Sequence, residues 1–139
     1  MDDPHDLQRF VDAQQPVYDA VLAELGAGAK TSHWTWFVFP QLRALGRSET
    51  ARRFGLAGLE EAKAYWRHPL LGPRLRECTA RVLGVRGRSA LQIFGPIDTM
   101  KFRSSMTLFE RAAPDEPVFR AALDRCFEGR ADERTLELL

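Results

Sequence analysis

The chain has 139 residues, 45% of them hydrophobic and 28% charged, with a formal net charge of +1. That suits one domain around one core; no run of 18 apolar residues offers a membrane span, and an acidic start (Asp2, Asp3, Asp6) without a basic and apolar leader predicts no signal peptide and a cytoplasmic protein. Cys78 and Cys126 fall on apolar helix stripes and read as small buried thiols, neither a disulfide nor part of a zinc site.

Near-neutrality hides segregation. Residues 30–103 hold fourteen Lys+Arg against five acids, whereas residues 1–29 sum to −5 and residues 104–139 to −3. A shared face in the middle segment would suit an anionic partner, unless the acidic ends fold back and cancel it. Arginine outnumbers lysine seventeen to three, so a lysine at 101 marks a position where a guanidinium does not serve.

In chain order, Asp3-Pro4 reads as an N-cap and first helical residue, followed by the stripe Leu7, Phe10, Val11 up to Pro16. Tyr18, Val21, Leu22 and Leu25 resume it at i, i+3, i+4, i+7 until Gly26 and Gly28. The next stretch, S-H-W-T-W-F-V-F-P-Q (Ser32–Gln41), is a strand by propensity over His33–Phe39. No partner strand is visible, so the expectation is a short buried helix, capped by Ser32 and closed near Pro40. Ser48 caps a helix reaching Phe54. Leu59, Ala62 and Trp66 mark a second helix that ends before His68-Pro69, and Leu71, Leu75, Cys78 and Val82 mark a third, ended by Gly84 and Gly87. Arg74, Arg76 and Arg81 occupy its wet side.

Ser89 caps a turn leading into G-P-I-D-T-M-K-F-R-S-S-M-T-L-F (Gly95–Phe109), in which Pro96 suits the first helical position. Wound at about 100° per residue, this segment puts Phe102, Met106 and Phe109 on one side. Thr99, Arg103, Thr107 and Glu110 fall on the wet side. Asp98, Lys101 and Ser105 project from within the apolar arc, with Ser104 at its edge. An acid and an amine buried there cost several kcal/mol, on the order of 3 to 5, unless each finds a partner. Phe119, Ala122, Leu123 and Cys126 form a further helix, and Asp132 caps a last one with Leu136 and Leu139 turned inward. The expectation is a single all-α domain over residues 1–139, with about seven to nine short helices. Its predicted core includes Trp34, Trp36, Phe37, Phe39, Phe94, Phe102, Met106 and Phe109. No long exposed apolar stripe calls for an obligate partner, so a monomer or weak dimer is expected.

No phosphate loop, serine-hydrolase elbow, zinc-protease helix or paired-cysteine spacing is present. His5, His33 and His68 lack ligands at helical spacing, so no metal and no cofactor are expected. No nucleic-acid-reading motif accompanies the arginines, so nucleic acid is not the expected partner. What remains is a constellation: His33, Trp34, Trp36 and Gln41 from one stretch, and Asp98, Lys101, Ser104 and Ser105 from the other. A lysine and hydroxyls near a helix start suit a phosphate or carboxylate. Trp34 or Trp36 would stack on a planar part, and Asp98 or His33 would move protons if there is chemistry. The structural alternative is an Asp98–Lys101 pair that fixes the helix, with Ser104 and Ser105 bonding backbone. The leading function is thus binding or processing of a small anionic, phosphorylated and nucleotide-like metabolite between His33–Gln41 and Gly95–Phe109. The competing one is a protein-interaction module that uses Arg43–Arg53 or Arg74–Arg88 against an acidic partner.

Three stretches also carry a resemblance: S-H-W-T-W-F-V-F-P-Q-L-R-A-L-G-R-S, H-P-L-L-G-P-R-L and I-F-G-P-I-D-T-M-K-F-R-S-S-M-T-L-F. With these the chain resembles, from about Leu7 to Leu139, a family of small bacterial domains of unknown function. Some of its members are labelled "calpastatin", and a mycobacterial member is all-α. Thr35 stands where that family usually has methionine. The resemblance implies an all-helical fold and favours helix over strand at His33–Phe39, but supplies no activity or catalytic residue. Inhibitory calpastatin segments are disordered, which the periodic apolar stripes and three tryptophans of this chain contradict.

Overall fold

The apolar stripes fold as helices. In the computed structural model, which describes residues 3–139, they run in chain order as α1 (Gln8–Gln14), α2 (Tyr18–Gly26), α3 (Thr35–Val38), a 3₁₀ turn (Arg43–Leu45), α4 (Glu49–Arg53), α5 (Leu59–Arg67), α6 (Leu71–Gly84), α7 (Ala90–Ala112), α8 (Pro117–Phe127) and α9 (Glu133–Leu138). Met1 and Asp2, the latter part of the acidic start, lie outside the described residues. The all-α expectation holds, and among the described residues no helix is long and apolar enough to cross a membrane.

Helix α7 is the axis. It packs against α3, α5, α8 and α9, while α6 packs against α2, α5 and α8. Its Phe102, Met106 and Phe109 are fully buried, as one helical stripe should be. Phe102 meets Phe39 edge-on at 4.9 Å and stacks on Phe94 at 4.7 Å, and Tyr65 packs on Phe109 at 5.3 Å. Each such pair adds about 0.5–1.5 kcal/mol beyond the area it buries.

Near its start α7 is broken. Gly95 has φ 81° and ψ 168°, a region essentially closed to other residues, and the helix restarts at Pro96 as the sequence predicts. The Thr99 hydroxyl lies 2.5 Å from the Gly95 carbonyl and 3.2 Å from that of Ala90, so it serves carbonyls at the break. Ser89 caps the leading segment, forming a capping box with Gln92.

Several local expectations change. The Asp3 carboxylate accepts hydrogen bonds from the Leu7 and Gln8 amides, but α1 starts only at Gln8, because Asp6 turns the chain with φ 49°. Helix α3 replaces the candidate strand, yet Ser32 does not cap it; that hydroxyl donates to Glu24 instead. One turn of helix at the surface cannot bury every side, so Trp36 and Phe37 stay partly exposed. Thr107, placed on the wet side by its angle, is fully buried: its hydroxyl donates to the Arg103 carbonyl and accepts the Asp132 amide. Leu139, expected inside, is 39% exposed at the chain end.

The segment after α3 is pinned by a single bridge, Leu42 to Leu56. The Arg43 amide donates to Leu56 O at 2.8 Å and the Leu56 amide to Gln41 O at 2.9 Å. Glycine is required beside it, since a Cβ on Gly55 would lie 2.4 Å from Arg43 Cα. This pin holds residues 41–51 as a wall facing α7.

Candidate functional site

An open cleft of about 540 Å³ lies between that wall, the restarted α7 and the beginning of α9. Of the residues singled out by sequence, Gln41, Lys101 and Ser104 line it. The wall adds Arg47 and Ser48, and α9 with its cap adds Asp132 and Arg134. Exposed Ile97 and Met100 form its apolar lip.

Lys101 connects the cleft to the aromatic stretch. Its ammonium sits 4.7 Å from the ring centre of Trp36, a cation–π distance, and the His33 and Trp36 rings are 6.4 Å apart. His33 is exposed and Trp36 half-buried, so neither needs the core to explain its position. Burial holds the Lys101 ammonium below the ordinary lysine range; Asp98 opposes that effect and the charge of Lys30 adds to it.

Asp98 has a better partner than the sequence offered. Its Oδ2 lies 2.7 Å from Lys30 Nζ, while its Oδ1 is 3.9 Å from Lys101 Nζ. The Lys30 side chain is only 5% exposed. Its ammonium also donates to Ser32 O at 2.5 Å and lies 4.9 Å from the Trp34 ring centre. The expected Asp98–Lys101 pair is therefore the weaker half of a Lys30–Asp98–Lys101 row.

His33, Trp34, Trp36, Asp98 and Ser105 do not line the cleft, which opens against residues 41–51 and meets the expected His33–Gln41 stretch only at Gln41. Trp34 is 1% exposed, with one face covered by Lys30 and its indole N–H donated to Glu24 Oε1 at 3.0 Å. The same carboxylate accepts the Thr31 and Ser32 amides and the Ser32 hydroxyl. Burial alone would raise the Glu24 pKa, but these bonds outweigh it and hold it down at about 2. Ser105 is fully buried and, against the expectation that it bonds backbone, its hydroxyl has no hydrogen-bond partner among the described residues. Ser104 reaches the Met100 carbonyl at 3.1 Å and Asp132 Oδ2 at 3.2 Å.

Cations dominate the cleft: Arg47, Lys101 and Arg134 face Asp132 alone. Asp132 is already occupied by the Thr135 amide and hydroxyl at 3.0 and 2.5 Å. Among the described residues, neither Arg47 nor Arg134 forms an ion pair. Sequence reasoning held Arg47 only within the Arg43–Arg53 stretch offered to an acidic partner and passed over Arg134, because only the tertiary fold brings these segments to α7. Lys30 carried one signal, as one of three lysines in an arginine-rich chain.

A family model described as "Protein of unknown function (DUF1810)" matches residues 4–139. The chain belongs to that family. It is also similar to a solved structure, the conserved hypothetical protein Rv1873 from Mycobacterium tuberculosis, at 57% identity and a TM-score of 0.97, over 99% of this chain and 98% of that one. No curated protein matches it. A second open cleft on the other side of the wall is lined by Arg9, Arg43, Arg52 and Arg53. Arg9 is spent there on Glu61, at 3.1 Å, and on backbone carbonyls.

Proposed function

We propose that the cleft between residues 41–51 and α7 binds a small anionic metabolite, phosphorylated and nucleotide-like. One observation carries this reading: three cations line the cleft against a single, already hydrogen-bonded carboxylate. Guanidinium forks match phosphate oxygens in pairs, and Ser48, Ser104 and Gln41 add neutral hydrogen-bonding groups. Ile97 and Met100, 70% and 71% exposed, offer an apolar ledge for the non-ionic part of the ligand. If the ligand is processed, Asp98 and His33 are the proton-moving groups: Asp98 Oδ1 lies 3.9 Å from Lys101 Nζ, and the His33 ring lies 6.4 Å from that of Trp36, behind the cleft lining.

A thermal-shift screen of nucleotides and phosphorylated metabolites tests the reading on wild type and on Arg47→Gln/Arg134→Gln. A ligand at about 100 times its Kd should add about 2.7 kcal/mol of stability. The double variant should lose at least about tenfold in affinity, about 1.4 kcal/mol. A screen in which no phosphorylated compound stabilises wild type removes the reading.

The second reading, docking of an acidic protein, is favoured by the other cleft, where Arg43, Arg52 and Arg53 form no ion pairs among the described residues. The alternative basic stretch is largely used within the fold: Arg74 bonds Gln14 and Gln15, Arg76 pairs with Glu116, and Arg88 bonds the Gly28 and Gln92 carbonyls. Docking through Arg43–Arg53 predicts partner capture that weakens steeply with salt and is lost in Arg52→Glu/Arg53→Glu. Capture unchanged by that reversal removes it.

A further inference from the structure

We infer that Lys101 is a carbonyl-reactive amine, and that the cleft takes a phosphorylated aldehyde or ketone which its Nζ holds as an imine. This rests on the reading of the cleft as a phosphate site and specifies the ligand further. Of the three cations there, only Lys101 can act as a nucleophile near neutrality, because a guanidinium keeps its proton. Arg47 and Arg134 suffice for the phosphate.

The surroundings of Lys101 fit an amine prepared for attack. Its side chain is 20% exposed. Among the described residues its Nζ makes no hydrogen bond, only the contacts at 4.7 Å to the Trp36 ring centre and 3.9 Å to Asp98 Oδ1. A lysine meant purely as a structural ion would sit closer, as Lys30 does at 2.7 Å. Lys30 fixes Oδ2 of Asp98 and leaves Oδ1 toward Lys101. Burial favours the neutral amine, Asp98 opposes it, and the neighbouring Lys30 charge adds to the effect of burial.

The step balances with these groups alone. Asp98 takes one proton from the Lys101 ammonium. The amine lone pair attacks the carbonyl carbon, the C=O pair moves onto oxygen, and one of the two protons left on nitrogen passes to that oxygen, giving a carbinolamine. Asp98 returns its proton to the hydroxyl, which leaves as water while the nitrogen lone pair forms the protonated C=N bond. No oxidant or reductant is consumed.

The test uses D-glyceraldehyde 3-phosphate with sodium cyanoborohydride, which reduces an imine to a stable amine, and maps the adduct by mass spectrometry. Lys63, whose side chain is 32% exposed, serves as the internal control. The expected result is one adduct on Lys101, at least about tenfold over Lys63 and the N-terminal amine. It should be absent from folded Lys101→Arg and slowed several-fold in Asp98→Asn. Equal labelling of Lys63 and Lys101 would overturn the inference. Glycerol 3-phosphate, which has no carbonyl, separates the two levels in a thermal-shift assay. If it stabilises the protein but Lys101 is not labelled, the imine falls and the phosphate cleft stands. If it does not stabilise and nothing is labelled, both fall. Labelling by unphosphorylated glyceraldehyde at the same rate keeps the reactive amine and removes the phosphate.

Discussion

Lys30 Nζ stands 2.7 Å from Asp98 Oδ2, and the Lys30 side chain is only 5% exposed. This pair ties the loop after α2 to the restarted α7, so removing one member strands the other. Lys30→Met should cost about 3 kcal/mol, toward the low end for broken buried pairs because Asp98 is 21% exposed. Lys30→Met/Asp98→Leu should recover at least half of that, since the apolar pair leaves only the Lys101 ammonium, 20% exposed and 3.9 Å from Asp98 in the wild type, without its carboxylate. Urea denaturation of the three proteins measures it; a double variant less stable than the single one contradicts the account.

Glu24 makes stability depend on acid. Its folded pKa is held at about 2 against an ordinary value of 4.5. A depressed carboxylate stabilises the fold in full above about 4.5, and the contribution is lost as the pH falls toward about 2. The stability difference between wild type and Glu24→Gln should be constant near neutrality and shrink below about pH 4.5. A difference unchanged at pH 3 would refute this.

The two tryptophans of the S-H-W-T-W stretch should separate cleanly. Trp34, 1% exposed and bonded to Glu24, is core, so Trp34→Ala should cost about 3–5 kcal/mol. Trp36 is half-buried against Lys101, so Trp36→Ala should cost about 1 kcal/mol while uncovering the Lys101 ammonium. Equal losses in guanidinium melts would mean the sites are not distinguished by burial.

Periodicity made the helices and the Phe102–Met106–Phe109 stripe legible, because a helix face is a local property of the chain. It also flagged Asp98 and Lys101 as costly on that face, and both have partners. Lys30 was not visible as the partner of Asp98, since that meeting depends on how the loop after α2 folds back. Thr107 misled for a similar reason: its angle points it to solvent, but the Asp132 turn closes over it. Arg47 and Arg134 were readable only as charges. Their shared cleft exists because the Leu42–Leu56 bridge and the packing of α9 against the 3₁₀ turn bring them to one place.

Gly95→Ala isolates backbone strain. A Cβ there meets nothing within 4 Å, so any loss comes from φ 81° alone. The expected cost is about 1–3 kcal/mol. An unchanged thermal midpoint would mean that the break relaxes without strain.

The same break divides the hydrogen-bond ladder of α7 into two lengths with separate beginnings. Ala90–Phe94 has its own capping box and accepts the Lys30 amide at Ile93 O, 2.9 Å away. Pro96–Ala112 is set in the aromatic centre. Opening the first length need not unzip the second, so the two should form separate cooperative units in native-state hydrogen exchange. Amides of residues 90–94 should exchange through a low-energy opening shared with the Lys30 loop, while those around Phe102–Phe109 wait for global unfolding.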